Sequence, residues 1–167
     1  MNVLITEVGL SAPVVPGEAN PPKPQATKFH AIWDTGATGT VITKAAAAGL
    51  GLVATGQTEV HGVHGGKVVS TYIVDLHLPN GATIPFVEVT ECDALSNDGK
   101  CNVLIGMNVI SLGDFAVTNK ENNTVMTFCM PSHRNFDFVK DIHENRIMPN
   151  NLNRTDRRAW EKKHGKA

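Results

Sequence analysis

The chain contains 167 residues, of which 41% are hydrophobic, 5% are aromatic and 19% are charged, and its formal net charge is −1. These values exclude a collagen-like repeat, a fully disordered chain and a disulfide-rich miniprotein, and they indicate one globular domain, because a single core commonly serves about 100 to 200 residues. The sequence contains no apolar run near the roughly 20 residues that cross a bilayer, and its first residues lack the pattern of a secretory signal. We therefore expect a cytoplasmic protein.

The first half of the chain predicts three strands, at residues 3–8, 28–33 and 40–42. Residues 13–24 contain five of the nine prolines, which predicts a surface loop, because proline lacks the backbone donor that a sheet needs. The second strand stops at the polar turn formed by residues 34–39. Thr43 is expected to cap a short helix over residues 44–48.

From residue 57 onward the apolar residues recur with a period of two, which is typical of strands. Further strands are expected at residues 57–62, 67–78, 82–89, 103–106, 115–118 and 124–128, with a helical turn at 107–110. Gly65 and Gly66 form the tip of one hairpin, and Asn80-Gly81 is a strong signal for another. This pattern predicts a small, mainly β, closed barrel-like domain with one or two short helices, over residues 1–130.

Residues 131–167 predict an extension of a different character. Phe136, Val139 and Ile142 recur at helical spacing, and the composition becomes basic after Pro149. Residues 1–133 contain 6 Lys and Arg against 11 Asp and Glu (net −5), whereas residues 134–167 contain 9 against 5 (net +4), which together give −1. We expect a solvated, partly helical or disordered terminus. A contact with nucleic acid or an acidic partner is the weaker alternative.

Asp34 is the strongest candidate for a catalytic residue. It lies between an apolar strand and a glycine turn, where backbone N–H groups can hold a carboxylate. A motif of Asp, then Thr or Ser, then Gly would alone arise by chance in roughly one chain in ten of this length. Ala37 after the motif, a glycine-tipped hairpin about thirty residues later and the step Leu104-Ile105-Gly106 make a chance match far less common.

With these motifs the sequence resembles the retropepsin-like aspartic peptidases, which are single-domain relatives of pepsin. The resemblance covers about residues 28–130 and depends on residues 31–37, 62–66 and 102–110. It implies an acid-protease fold with one lobe per chain, hydrolysis of peptide bonds in a peptide or protein substrate, and no cofactor. Thr38, Gly39 and Met107 stand where many viral members carry acidic residues and an arginine, which suggests a different support of the active-site loop.

The resemblance also implies a role for individual residues. Asp34 would be catalytic, Thr35 would join two active-site loops by hydrogen bonds, and Gly36 would present its carbonyl to the peptide. The residues that would contact the substrate are Ala37 and the flap residues Gly62, Val63, His64, Gly65 and Gly66. The residues that would support the catalytic loop are Leu104, Ile105 and Gly106. Val41, Ile84 and Val103 are expected either to line pockets or to belong to the core.

A single Asp-Thr-Gly motif predicts a homodimer. Peptide hydrolysis of this kind needs a carboxylate that takes a proton from water and a carboxylic acid that protonates the leaving amine. Two carboxyl groups about 3 Å apart share one proton and titrate as a coupled pair. The nearest second candidate, Asp98-Gly99, lacks the strand context, so we expect each of two subunits to supply one Asp34.

The sequence is also compatible with two other functions. A non-catalytic dimeric module with the same fold could bind peptides or serve as a scaffold. A metal-dependent hydrolase could use some of the seven histidines. However, His61 and His64 are three positions apart, and an odd separation on a strand points two side chains to opposite faces. Cys92, Cys101 and Cys129 have no metal-like spacing, so we expect free buried thiols and no metal site.

Overall fold

A computed structural model describes residues 3–14, 25–62, 65–144, 148–149 and 151–164. The chain divides into two compact units, Met1–His133 and Arg134–Ala167. In chain order the first unit contains β1 (Ile5–Ser11), β2 (Thr27–Trp33), β3 (Thr40–Thr43), α1 (Lys44–Gly49), β4 (Gly56–Gly62), β5 (Gly65–His77), β6 (Thr83–Cys92), β7 (Cys101–Ile105), α2 (Met107–Ile110), β8 (Asp114–Lys120) and β9 (Asn123–Cys129). The second unit contains α3 (Phe138–His143) and α4 (Arg154–His164).

Seven strands of the first unit form one sheet in the order β1-β2-β7-β3-β6-β5-β4. β1 also pairs with β5 through residues 9–11, so six of the strands close into a ring and β4 lies outside it on the far edge of β5. The prediction of a mainly β, closed, barrel-like acid-protease lobe is confirmed. The pairings β2–β7 and β3–β6 are parallel, which brings segments far apart in the sequence together.

The core of the barrel consists of apolar side chains that alternate along the strands. In β7 the side chains of Cys101, Val103 and Ile105 are buried, as the two-residue period of a strand requires. Fully burying a side chain such as Val or Ile contributes roughly 1.5–3 kcal/mol. The barrel is therefore a rigid frame for the loops between its strands.

Several local predictions are confirmed in this unit. Asn80-Gly81 turns the chain between β5 and β6, where the Leu78 amide donates to the Ala82 carbonyl at 2.8 Å and Gly81 has a φ of +84°. The Thr43 hydroxyl accepts a hydrogen bond from the Ala46 amide at 3.2 Å and caps α1. β1 continues past its predicted end to Ser11, because its last residues pair with β5.

The described part of the second unit contains two helices, and the longer one, α4, lies where the sequence is most basic. Residues 154–164 form α4, whereas the apolar residues Phe138, Val139 and Ile142 of α3 are exposed. Within the described ranges, no helix is long and apolar enough to cross a bilayer. The proline-rich loop falls mostly outside these ranges, since residues 15–24 are not described.

Candidate active site

Asp34 follows the last residue of β2, at the end of the parallel pairing between β2 and β7. Its backbone amide donates to the carbonyl of Ile105 at 3.0 Å, which continues the ladder by one hydrogen bond. Its carbonyl accepts a hydrogen bond from the Ala37 amide at 3.3 Å and so closes a turn. The sheet therefore fixes the backbone from which the carboxyl group projects.

The side chain of Asp34 is oriented by its own turn. The Gly36 amide donates to Oδ1 of Asp34 at 2.8 Å, and this bond leaves Oδ2 on the other side of the carboxyl group. Asp34 is half-buried, while Thr35 and Gly36 are exposed on the single chain. A carboxylate held in this way by a backbone donor is oriented but still reachable from solvent.

The loop from residue 34 to residue 40 rests on the start of α2. The amides of Met107 and Asn108 donate to the carbonyls of Ala37 and Thr38 at 2.8 and 3.1 Å. A Cβ atom on Gly106 would overlap the carbonyl of Gly39 and would lie 2.9 Å from the carbonyl oxygen of Ala37. Gly106 therefore permits a close approach between the two backbones that a larger residue would prevent.

A buried threonine joins these two segments. The hydroxyl of Thr40, which is 1% exposed, accepts a hydrogen bond from the Gly106 amide at 3.2 Å and donates to Oδ1 of Asn108 at 2.7 Å. The side-chain amide of Asn108 in turn donates to the carbonyl of Glu88 in β6 at 3.2 Å. The sequence-based interpretation gave no role to Thr40 or Asn108. A threonine directly before the apolar pair Val41-Ile42 was the available signal for Thr40.

The structure brings Asp34, Gly36 and Ala37 together with Ile105 and Gly106, as the backbone contacts above describe. Leu104 pairs with both Ile32 and Val41 in the sheet, which places it between the strands on either side of the catalytic loop.

Gly62, Gly65 and Gly66, three of the residues expected to form a flap, lie at the described end of the β4–β5 hairpin. Gly62 pairs with Gly65, whose φ of +110° is one that glycine adopts readily, and Val63 and His64 lie outside the described residues. A cleft of about 540 Å³ lies between this hairpin and the body of the lobe. It is lined by Val41, Val60, Gly65, Gly66, Lys67, Val69, Thr90, Glu91, Cys92, Asp93 and Leu95.

Asp34 to Ala37 are not among the residues that line this cleft. Within the part of the chain that the structure describes, Gly65 and Gly66 line the cleft, and the Asp34 carboxyl group does not. Val41 lies on the cleft, whereas Ile84 and Val103 are buried in the core at 5% and 0% exposure. Of these three residues, only Val41 is placed to line a pocket.

Charged and polar groups at one side of the cleft change the pKa values of their neighbours. Hydrogen bonds from Lys44 and Lys67 lower the pKa of Asp93 to about 2. Burial raises the pKa of the Cys92 thiol, so Cys92 is protonated and weakly nucleophilic at neutral pH. The Tyr72 hydroxyl donates to Glu91 at 2.8 Å, which raises the pKa of Tyr72.

The described residues contain no group of three or more His, Cys, Asp or Glu side chains that could hold a metal ion. The side chain of His61 and the whole of His64 lie outside them. All three cysteines are free: Cys101 is buried, Cys92 is half-buried and Cys129 is exposed. The expectation of buried thiols is therefore wrong for Cys129, which lies at the end of β9.

A family model for aspartyl proteases matches residues 21–109, which is more than half of the chain. The chain belongs to the aspartyl protease family. The match includes the Asp-Thr-Gly turn, the flap hairpin and the Leu-Ile-Gly step, and the resemblance inferred from these motifs is confirmed. No curated protein matches the sequence significantly.

The chain is also similar to solved structures of proteases, at low sequence identity. The protease of EIAV, in complex with the inhibitor HBY-793, is 19% identical, with a TM-score of 0.49 over 66% of this chain and 86% of that one. A retropepsin-like aspartic protease from Rickettsia conorii is 13% identical, with a TM-score of 0.44 over 75% and 93%. The retroviral protease-like domain of Ddi1 from Leishmania major is 18% identical, with a TM-score of 0.43 over 77% and 96%.

Proposed function

We propose that the protein is a homodimeric aspartic endopeptidase of the retropepsin-like type, with one Asp34 from each subunit. The observation that carries the proposal is the geometry of the Asp34 loop in a chain of this family. A half-buried carboxyl group is oriented by the Gly36 amide and fixed by hydrogen bonds to β7 and α2. A carboxyl group that is oriented by a backbone donor and reachable from solvent is placed to exchange protons with a bound water or peptide.

The chemistry requires a second carboxyl group close to the first. The ionised Asp34 of one subunit would take a proton from water, whose oxygen attacks the carbonyl carbon of the peptide. The protonated Asp34 of the other subunit would polarise the carbonyl and then give its proton to the leaving nitrogen as the C–N bond breaks. The products are a carboxylic acid and an amine, and the pair again holds one proton.

A homodimer supplies this second group by symmetry. The sequence contains one Asp-Thr-Gly motif, and the cleft beside the flap does not enclose its carboxyl group within one chain. A two-fold axis beside Asp34 would place two identical loops face to face. Thr35 is exposed on the single chain and is available for the hydrogen bonds between loops that the family resemblance implies.

The remaining assignments are proposals of the same kind. Residues 1–130 would form the protease domain, and residues 131–167 would form the extension. A peptide would bind as an extended strand under the flap, contacting Ala37 and residues 62–66. Leu104, Ile105 and Gly106 would support the catalytic loop. A cytoplasmic location, and the weaker possibility of an acidic partner for α4, stay predictions from composition.

Substitution of the catalytic residue tests the proposal. Asp34→Asn keeps an oxygen that can accept the Gly36 amide but removes the proton transfer, so we expect cleavage of a denatured protein substrate to fall by about 10²–10⁴-fold or more with little change in thermal unfolding. Asp98→Asn is the matched control, because Asp98 lies in an exposed loop and accepts from Ser96 and Lys100. It should retain wild-type activity.

Three results would contradict the proposal. Asp34→Asn protein with unchanged activity would exclude Asp34 from catalysis. Saturable peptide binding by the wild type without cleavage at any pH between about 3 and 7 would instead support the non-catalytic peptide-binding module. Loss of wild-type activity on addition of a chelator would support the metal-dependent hydrolase.

A further inference from the structure

Three elements of the first unit meet at the carboxyl group of Asp93, the first residue after β6. Oδ1 of Asp93 accepts a hydrogen bond from Nζ of Lys44 at 2.7 Å, and Oδ2 accepts one from Nζ of Lys67 at 2.8 Å. Lys44 is the first residue of α1, and Lys67 belongs to β5, two residues after Gly65. Asp93 therefore connects the flap hairpin to the body of the lobe.

The part of the hairpin that carries Lys67 extends beyond the rest of the sheet. β5 pairs with β6 only from Thr71 onward, whereas residues 65–70 pair with β4 alone among the described strands. We call residues 57–62 and 65–70 the outer hairpin. A two-stranded ribbon without a third strand is marginally stable and moves readily, so its position depends on the side chains that attach it to the body.

The ion pair between Lys67 and Asp93 lies in the wall of the cleft. Both residues line the cleft, together with the glycines of the hairpin and with the apolar side chains of Val41, Val60 and Leu95. Val60 lies directly opposite Lys67 in the hairpin, while Val41 and Leu95 belong to the body. A hairpin that moves away from Asp93 would therefore widen the space between Val60 and the body.

We propose that Asp93 is a positioning residue, which holds the outer hairpin against the lobe through Lys67 and so sets the width of the cleft that takes the peptide. Lys44 binds the other oxygen of Asp93, which keeps the carboxylate ionised and oriented toward the hairpin. The use of this cleft by a peptide rests on the proposed function. The attachment of the hairpin does not, because it follows from the contacts of one chain.

The exposure of the three side chains fits a contact that opens and closes. The side chains of Lys67 and Asp93 are 62% and 65% exposed, and that of Lys44 is 52% exposed. Exposed ion pairs are weak and are screened by salt, so this one biases the hairpin toward the body without locking it there. A peptide must pass under the hairpin to enter the cleft, and a stronger contact would slow its entry and exit.

Hydrogen exchange of the backbone amides tests the attachment directly. We expect Lys67→Met and Asp93→Asn to raise the exchange of the outer hairpin by about two- to fivefold, the factor that an exposed ion pair supplies. Lys44→Met, which leaves the pair between Lys67 and Asp93 in place, should have a smaller effect. Lys67→Arg keeps the charge and should restore exchange close to that of the wild type.

Lys28→Met is the matched control. Lys28 and Glu7 form an equally short and exposed ion pair of 2.7 Å between β2 and β1, away from the hairpin. Its loss should leave exchange in the outer hairpin unchanged. If Lys67→Met has no effect there, or if Lys28→Met raises exchange there by the same factor, Asp93 does not position the hairpin.

Enzyme kinetics separate this inference from the proposed function. For an active protease, Lys67→Met should raise KM several-fold with a smaller change in kcat, because the cleft is less often formed when the peptide arrives, and Lys67→Arg should reverse the change. An increase in exchange in a protein without peptidase activity would support the positioning role of Asp93 and contradict the proposed function. Normal cleavage by the wild type, together with hairpin exchange that Lys67→Met leaves unchanged, would support the proposed function and contradict the positioning role of Asp93.

Discussion

The catalytic loop and the outer hairpin are held by different kinds of contact. The loop is fixed by hydrogen bonds at the buried hydroxyl of Thr40 and by bonds from the backbone amides of Met107 and Asn108, and its backbone touches that of Gly106. The end of the hairpin is attached by Lys67 and Asp93, whose side chains are mostly exposed, whereas Val69, two residues further along β5, is buried. Buried bonds are costly to break because they leave unpaired groups, whereas exposed ion pairs exchange with water at little cost.

This difference corresponds to two requirements of the proposed reaction. Proton transfer between water, a peptide and two carboxyl groups needs atoms fixed to within a fraction of an ångström. Entry of an extended peptide needs a cover that can move. The same small lobe meets both requirements, because the loop joins two strands of the closed ring, β2 and β3, and the hairpin extends beyond the ring.

The largest loss of unfolding free energy is expected for a substitution of Gly106, which contacts the catalytic loop. Gly106→Ala places a methyl group against the carbonyls of Ala37 and Gly39 and should cost about 3 kcal/mol of unfolding free energy, at the upper end of what overpacking usually costs. Urea unfolding measures this change. Gly49→Ala is the control, because no atom lies within 4 Å of the added Cβ atom, and it should change the stability by less than about 1 kcal/mol. Equal effects would show that the two backbones are not in close contact.

A smaller effect is expected at Thr40. Thr40→Val removes the hydroxyl and leaves the Gly106 amide buried without its partner, which should cost about 2 kcal/mol and reduce kcat. Thr40→Ser keeps the hydroxyl and loses one methyl group, so it should cost about 1 kcal/mol and retain activity. Comparison of the two variants by urea unfolding and by initial rates isolates the contribution of the hydrogen bonds. Equal losses in both variants would instead assign the role of Thr40 to packing.

The smallest expected effect is on the pH dependence of hydrogen exchange in the outer hairpin. Because Lys44 and Lys67 lower the pKa of Asp93 from 3.8 to about 2, its contribution to the folded state is complete above about pH 4 and is lost as the pH falls through about 2. The charged and titratable groups around it are Lys44, Lys67, Glu91, Tyr72 and Cys92. The difference in hairpin exchange between wild type and Lys67→Met should stay constant from pH 7 to pH 4.

Exchange measured at matched pH checks this prediction. A difference that disappears already near pH 5 would show that another group, and not Asp93, attaches the hairpin. A difference that persists below about pH 2 would show that the contact does not depend on the charge of Asp93.

Local features of the fold could be predicted from the sequence because neighbouring residues determine them. Asn80-Gly81 specifies a hairpin turn, and Thr43 specifies a helix cap, by backbone geometry within a few residues. The resemblance to the retropepsin-like peptidases, and not a local signal, predicts that the Asp-Thr-Gly turn and the Leu-Ile-Gly step belong to one site. The structure pairs the strands that lead into them, β2 and β7.

The remaining parts of the site depend on contacts between distant residues. The parallel pairings of β2 with β7 and of β3 with β6 leave no local signal, since each strand alone looks like part of a hairpin. Thr40 and Asn108 are joined across 68 positions of sequence, and Asp93 meets Lys44 and Lys67 only in the folded lobe. These partners become visible only once the ring of strands is known.

The central claim is that two chains share one pair of Asp34 carboxyl groups, and a mixed dimer tests it most directly. Wild-type and Asp34→Asn subunits with different affinity tags can be produced together, and the heterodimer isolated through both tags. We predict that the heterodimer is inactive and that an equal, freely exchanging mixture has about a quarter of the activity of the wild type. A heterodimer with about half of the wild-type activity would show that each chain works alone and would contradict the shared site.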